Sequence, residues 1–124
     1  MIETLKEEKM EEYILHKGTA VMKIPLSKIY YVTMHPIKSH TAVFVTIDGE
    51  FEKAITLSKL EELSTGSLIR CHRKFLVNKS KIVGLDYETR TIMFADKRIS
   101  DINCSRRCFA FLKKEWINAK GEVG

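Results

Sequence analysis

Residues 68–78 of this chain read Leu68-Ile69-Arg70-Cys71-His72-Arg73-Lys74-Phe75-Leu76-Val77-Asn78, and this stretch decides the class of fold. Its apolar run at 75–77 combines aromatic and β-branched side chains, which is typical of a strand. Three cations precede that run, at positions 70, 73 and 74. Because a guanidinium can bind a phosphate or a guanine edge through two parallel hydrogen bonds, we interpret residues 68–77 as an extended segment whose polar end faces nucleic acid.

The rest of the chain reads as mainly β with one short central helix. Asp48-Gly49 lies between two strand-like stretches and predicts a type I′ hairpin. Ser58 followed by Glu61 is a capping box, and leucines at helical spacing follow it until Gly66 ends the run. The predicted strands span residues 13–16, 19–26, 29–35, 40–47, 50–55, 82–87, 91–94 and 98–102.

A second helix is predicted at the C-terminal end, with Ser105 as its cap. Phe109, Leu112 and Trp116 share one apolar stripe of this helix, as expected for a surface that packs against a core or a partner. Arg106-Arg107 falls in the first turn, where the helix macrodipole disfavours cations. Either the two arginines are simply solvated and the helix begins later, or they form an anion site with the free helical N–H groups.

Length and charge favour a single nucleic-acid-binding domain. The chain has 124 residues and a net charge of +5, and residues 70–124 alone carry 13 Lys and Arg against six Asp and Glu. Such polarised charge is expected of a protein that binds nucleic acid. We predict an acidic N-terminal segment at 1–12, the domain at 13–119 and a tail at 120–124. No apolar run approaches the ~18 residues of a membrane span, so we predict a cytoplasmic protein without a membrane partner.

The three cysteines form no C-x-x-C pair, which favours reduced, buried thiols over a disulfide framework. A metal site of Cys71, His72, Cys104 and Cys108 matches no common zinc spacing, so we predict no metal and no cofactor. Cys71 and His72 are adjacent on a strand and point apart, and no Gly-rich phosphate loop is present, so we predict that the protein is not an enzyme. Cys71 stays open as a redox-sensitive thiol, because the nearby Arg73 would lower its pKa.

These elements together resemble the LytTR family of bacterial DNA-binding domains, and the resemblance covers residues 14–114. It implies an elongated arrangement of small antiparallel β-sheets with one short central helix and a C-terminal helix. Such a domain inserts loops into successive major grooves without using a recognition helix. The motifs that carry the resemblance are the Leu68–Asn78 run, the Lys38-Ser39-His40 loop, the Asp48-Gly49 hairpin and Ser105-Arg106-Arg107.

The same resemblance implies which residues contact DNA. By motif position, His40, Arg73 and Arg107 would contact bases. The connection before Ser105 is longer than the family norm, so either Arg106 or Arg107 could be the residue that reads the base. Flanking residues would contact the DNA backbone or support the loops; these are Lys38, Lys74, Asn78, Lys79, Ser105 and Arg106.

We therefore expect a sequence-specific, double-stranded DNA-binding transcription regulator that binds direct repeats with one copy per half-site, which allows a homodimer on DNA. We expect the module to stand alone without a receiver domain, so that its activity is either constitutive or controlled in trans. The alternative is a protein-interaction or antagonist module of a LytTR regulatory system. That module would meet an inhibitory protein partner through a C-terminal apolar surface of Phe109, Phe111 and Trp116.

Overall fold

The computed structural model describes residues 12–121, and within them the chain is mainly β, as predicted. Residues 1–11 of the predicted acidic segment and 122–124 of the predicted tail lie outside the described residues. The helices are α1 (Leu57–Leu63) and α2 (Arg106–Gly121), and single 3-10 turns span Leu26–Lys28 and Lys79–Lys81. The strands are β1 (Glu12–Lys17), β2 (Ala20–Pro25), β3 (Tyr31–Met34), β4 (Ala42–Thr46), β5 (Gly49–Lys53), β6 (Leu68–His72), β7 (Phe75–Asn78), β8 (Ile82–Asp86), β9 (Thr91–Phe94) and β10 (Ile102–Asn103).

All strand pairs among these described residues are antiparallel, and they form two sheets. The larger sheet has seven strands in the order β2-β1-β5-β4-β3-β7-β6, and the smaller one has three in the order β10-β9-β8. The predicted antiparallel, mainly β fold with one short central helix and a C-terminal helix is confirmed. Neither helix in the described part of the chain is long and apolar enough to cross a membrane.

The larger sheet is covered on both faces near β7, which explains the continuous apolar run quoted above. Successive side chains of a strand point to opposite faces. Leu76 packs into a core cluster with Phe44 and with Leu60 of α1, whereas Val77 packs into a second cluster with the smaller sheet and Leu112 of α2. A strand that is buried on both faces reads as a hydrophobic run instead of an alternating pattern.

The quoted stretch is not one extended segment, as the sequence had suggested, but a tight hairpin. β6 ends at His72, the chain turns at Arg73-Lys74, and β7 begins at Phe75. The register between the two strands shifts between Arg70 and His72, which is a bulge around Cys71. Such a bulge bends a strand and increases its local twist. The polar residues Arg73 and Lys74 form the turn of the hairpin.

Two local predictions are wrong in detail. The hairpin from β4 to β5 forms, but neither Ile47 nor Asp48 in its turn has a positive φ, so the turn is not type I′. Within this hairpin, the positive φ is that of Gly49, the residue after the turn, and its value is 118°. The cap of α1 is Thr56, whose hydroxyl accepts from the Lys59 N–H at 3.2 Å, and not Ser58.

The last predicted strand is shorter than expected. Its first residues form a turn in which Arg98 donates to the Asp96 carboxylate at 2.7 Å and 2.9 Å, so only Ile102–Asn103 remains as β10. The guanidinium of Arg98 also lowers the pKa of Asp96 to about 2.

Candidate nucleic-acid interface

Two predicted DNA-contacting segments leave the larger sheet at the same end. Thr33 of β3 pairs with Phe75 of β7, so the loop that follows β3 and the turn that precedes β7 lie side by side. The loop spans residues 35–41, and the turn is Arg73-Lys74. The Thr33 hydroxyl donates to the Lys74 carbonyl at 3.0 Å, which ties the turn to β3.

The start of α2 joins these two segments. The Ser105 N–H donates to the Cys71 carbonyl at 2.8 Å, so the residue that precedes α2 is held against the end of β6. Arg73 and Arg107 line one shallow depression there, together with Arg70, His72, Ser105 and Cys108. We call the surface formed by the loop 35–41, the turn Arg73-Lys74 and Ser105-Arg106-Arg107 the basic edge.

The three predicted base-contacting side chains all lie exposed on the basic edge. His40, Arg73 and Arg107 are exposed, and they come from three different segments of the chain. Lys74 and Arg106 beside them are exposed as well. The arrangement can present two guanidinium groups and an imidazole to base edges, with flanking cations available for phosphates.

The loop 35–41 is folded around His35. The Nδ1 of His35 accepts hydrogen bonds from the N–H groups of Ile37 and Lys38, at 3.0 Å and 2.9 Å. Its Nε2 lies 3.4 Å from the Glu52 carboxylate. The loop ends with His40, which has a positive φ of 52° and is therefore held in the left-handed region.

Lys38 is exposed but carries an acidic partner. Its ammonium donates to the Glu52 carboxylate at 2.9 Å. This hydrogen bond, helped by the charge of Lys38, lowers the pKa of Glu52. The charge of Lys38 is therefore partly offset by Glu52, whereas the structure shows no such partner for Arg106 within the described residues.

Arg70 is a supporting residue that the sequence analysis left out of the contact set. Its Nη1 donates to the Arg73 carbonyl at 3.0 Å, its Nε to the Glu61 carboxylate at 3.2 Å, and its Nη2 to the Ser58 hydroxyl at 3.3 Å. Ser58 and Glu61 were predicted to cap α1, but they bind this guanidinium instead. Arg70 thus fixes the turn that carries Arg73 to α1.

Ser105 acts as the predicted cap of α2. Its hydroxyl accepts from the Cys108 N–H at 3.2 Å, and its carbonyl accepts from the Phe109 N–H at 3.0 Å. The helix begins at Arg106, so both arginines fall in its first turn as predicted. Because the side chain of Ser105 is already used as a cap, its contribution to the basic edge is to orient the two arginines.

Asn78 and Lys79 lie outside the basic edge, although they were predicted to contact the DNA backbone or to support the loops beside Arg73. They follow β7 at the end opposite to Arg73-Lys74. Asn78 is 2% exposed, and its amide donates to the carbonyls of Leu26 and Ile29 at 3.1 Å and 2.8 Å. Its Oδ1 accepts from Ser80. The side chain of Asn78 is buried away from the surface and fills the second predicted role, support of the 3-10 turns, while Lys79 is half-buried beside it.

Replacing Asn78 with alanine is expected to lower the free energy of unfolding by about 1–3 kcal/mol, because two carbonyls lose their buried donor. Urea unfolding followed by circular dichroism measures this change. Asn103→Ala, at an exposed asparagine of β10, serves as the matched control, with an expected change within about 0.5 kcal/mol. Equal stability of the two variants would contradict the structural role of Asn78.

The cysteines are packed into the core beneath the basic edge. Cys71 is 0% and Cys104 3% exposed, and all three cysteines are free. The hydrogen bond with Cys104 and burial raise the pKa of the Cys71 thiol. A pKa lowered by Arg73 was predicted, but Arg73 lies in the exposed turn while Cys71 points into the core. Among the described residues, no group of three or more His, Cys, Asp or Glu side chains is placed to hold a metal.

The fold and the basic edge define a mainly β domain that presents cationic side chains from two loops and from the first turn of α2. The chain matches the family model described as the LytTr DNA-binding domain over residues 19–117, and it belongs to that family. It is therefore a DNA-binding module of the response-regulator type, and the family is defined by DNA binding, not by catalysis.

A solved structure supports the same fold. The chain is similar to a LytTr DNA-binding domain from Bacillus cereus, with a TM-score of 0.69 and 22% sequence identity. The match covers 84% of this chain and 94% of that one. A comparison with curated proteins finds no match. The predicted resemblance to the LytTR family is confirmed.

Proposed function

We propose that the protein is a transcription regulator that binds double-stranded DNA at direct repeats, with its basic edge inserted into successive major grooves. His40, Arg73 and Arg107 contact base edges. Lys74 and Arg106 contact phosphates, joined by Lys38. One copy occupies each half-site, so two copies form a homodimer on DNA.

One observation carries this proposal, namely the convergence of three exposed segments at one end of the larger sheet. The loop 35–41, the turn Arg73-Lys74 and Ser105-Arg106-Arg107 are far apart in sequence but are joined by hydrogen bonds through Thr33 and Cys71. Loops that project from one sheet end can reach the floor of a major groove, which is ~12 Å wide. The rigid strands behind them fix the spacing between the contacts.

The chemistry of the exposed side chains supports recognition of a specific DNA sequence. A bidentate pair between an arginine and O6 and N7 of guanine discriminates by about 1–3 kcal/mol. Arg73 and Arg107 are exposed and can form such pairs. An imidazole such as that of His40 can donate to a base acceptor. Lysines and Arg106 add an attraction that is independent of sequence.

The structure gives less support to the alternative, an antagonist module that acts through a C-terminal apolar surface. Phe109 of α2 is buried in the core, and Trp116 is half-buried and donates its indole N–H to the Ile82 carbonyl at 3.1 Å. Phe111, which is 57% exposed, is the remaining member of the predicted surface.

In vitro selection of duplexes from a random pool tests the proposed function. We expect enrichment of direct repeats whose half-sites lie about one helical turn, roughly 10 base pairs, apart. A parallel selection with Arg73→Ala/Arg107→Ala provides the control and is expected to enrich no motif. A failure of the unsubstituted protein to enrich any duplex sequence would contradict sequence-specific binding.

A further inference from the structure

Two of the three segments of the basic edge are held in shape by an imidazole nitrogen that accepts backbone N–H groups. His35 Nδ1 accepts from Ile37 and Lys38 within the loop 35–41, at 3.0 Å and 2.9 Å. His72 Nδ1 accepts from the Lys74 N–H at 3.1 Å, across the turn that carries Arg73. A ring nitrogen can accept only when it has no proton, so this geometry requires an unprotonated Nδ1 in both rings.

The chain builds the same kind of turn elsewhere with carboxylate or amide oxygens. Asp86 Oδ1 accepts from the N–H groups of Glu88 and Thr89 at 2.9 Å and 3.1 Å, which repeats the pattern of His35. Asp96 and Asn78 accept from the residue two positions later in the same way. Aspartate and asparagine are the usual acceptors in such turns. They do not change charge between pH 5 and 8, whereas an imidazole does.

We propose that His35 and His72 are positioning residues that make sequence-specific DNA binding depend on pH, and this proposal rests on the function proposed above. The neutral rings hold the loop 35–41 and the turn Arg73-Lys74 in the shape that presents His40 and Arg73. Protonation turns each acceptor nitrogen into a donor, which must turn away from the N–H groups that it now binds. Both segments are then released at acid pH.

The charged groups around the two rings differ, and of the two surroundings only that of His72 repels a protonated ring. His35 faces Glu52, which is shared with Lys38 and lies in a cleft that His16 also lines. A protonated His35 would compete with Lys38 for this carboxylate. His72 packs its ring edge against Phe75, with centroids 5.5 Å apart.

His72 also lines the depression in which the cationic groups of β6 and α2 gather. Arg70, Arg73 and Arg107 line it, together with the thiol of Cys108. A positive charge on His72 adds to three guanidinium groups, so repulsion would displace the ring and the turn next to it. The loss of affinity should therefore fall on the base contacts, which need exact placement of the side chains. The attraction to phosphates keeps its strength, because protonation only adds positive charge.

Nuclear magnetic resonance of the DNA-free protein tests the geometry independently of DNA binding. We expect ring nitrogen shifts typical of neutral Nε2–H imidazoles at about pH 7.5. On acidification, the amide protons of Ile37 and Lys38 should titrate together with the ring of His35, and that of Lys74 with the ring of His72. Protonated Nδ1 atoms at neutral pH, or amides that do not follow the rings, would overturn the proposal even if the protein binds DNA.

DNA binding by matched variants tests the consequence. The probes are a duplex enriched by the selection above and a scrambled duplex of the same composition. For the unsubstituted protein, the ratio of the two affinities is expected to fall about tenfold between about pH 7.5 and pH 5.5. In His35→Asn/His72→Asn, asparagine supplies the same acceptor without titrating, so the ratio should change less than about twofold.

Other results of these experiments would overturn the proposal, or would distinguish its failure from a failure of the proposed function. Because His40 is kept in the double variant, any pH dependence of its own contact remains in both proteins. A double variant that shows the full fall would assign the effect to His40 and overturn the proposal. A ratio that does not change with pH in the unsubstituted protein would also overturn it. If no duplex is selected, the proposed function fails, and the resonance experiment alone decides the role of the two rings.

Discussion

Replacing Arg73 and Arg107 together with alanine is expected to weaken binding to a selected duplex by about 2–6 kcal/mol, which is a loss of affinity between roughly thirtyfold and roughly twenty-thousandfold. Each guanidinium can form a bidentate pair with guanine, and each comes from a separate segment of the basic edge. Each single substitution should therefore cost about 1–3 kcal/mol and relax specificity at one base position. Fluorescence anisotropy with the selected and the scrambled duplex measures both effects.

Two further variants distinguish the loss of base recognition from the loss of positive charge. Arg73→Lys keeps the charge but loses the planar fork, so binding to the scrambled duplex should persist while specificity falls. Arg98→Ala removes an exposed arginine that pairs with Asp96 away from the basic edge. We expect no measurable loss of specific affinity in that variant. A double alanine variant that binds like the unsubstituted protein, or an equal loss in Arg98→Ala, would contradict the proposed contacts.

Salt is expected to weaken binding steeply. If about six phosphates are neutralised, the log–log slope of affinity against salt should be near −5, which is about a thousandfold loss between roughly 50 and 200 mM salt. Lys74→Ala and Arg106→Ala should each make the slope less negative by about 1. The measurement is a series of anisotropy titrations at increasing salt with one duplex.

The matched control for the salt series is Lys79→Ala. Lys79 has the same charge as Lys74 but follows β7 at the opposite end of the strand. Its removal should leave the slope unchanged. A slope near zero for the unsubstituted protein would contradict phosphate neutralisation, and an equal effect of Lys79→Ala and Lys74→Ala would contradict the placement of the interface.

Much of the fold was predictable because local signals agree with the tertiary structure. The hairpin around Asp48, the second hairpin between residues 82 and 94, and the helix that follows Ser105 all form. The apolar stripe of α2 also packs inward, with Phe109 and Leu112 in the core. In these cases turn residues and apolar spacing are sufficient, since they act over a few residues.

The hairpin at Arg73-Lys74 and the burial of Asn78 were missed because they depend on contacts between distant residues. A polar turn without glycine or proline gives no local turn signal. Asn78 binds carbonyls of Leu26 and Ile29, about fifty positions away, and so reads as a surface polar residue. The true cap of α1 was missed because Ser58 and Glu61, which match the capping motif, bind Arg70 instead.

The candidate site was predictable in its main cations but not in its supports. Arg73 and Arg107 follow from the family motif, and the structure places both on one surface. Arg70, His35 and His72 act through backbone groups of other residues, and such acceptor and donor roles carry no sequence motif. A cation inside a strand, as at Arg70, was the one signal that could have indicated a side chain with fixed hydrogen-bond partners.

Amide shift mapping during titration with a selected duplex tests the central claim most directly. We expect the resonances of residues 35–41, 73–74 and 105–107 to change together over the same range of duplex concentration. Those of residues 79–81, at the opposite end of β7, should stay unchanged. Changes confined to one of the three segments, or centred on residues 79–81 or on Phe111, would contradict a single duplex bound along the basic edge.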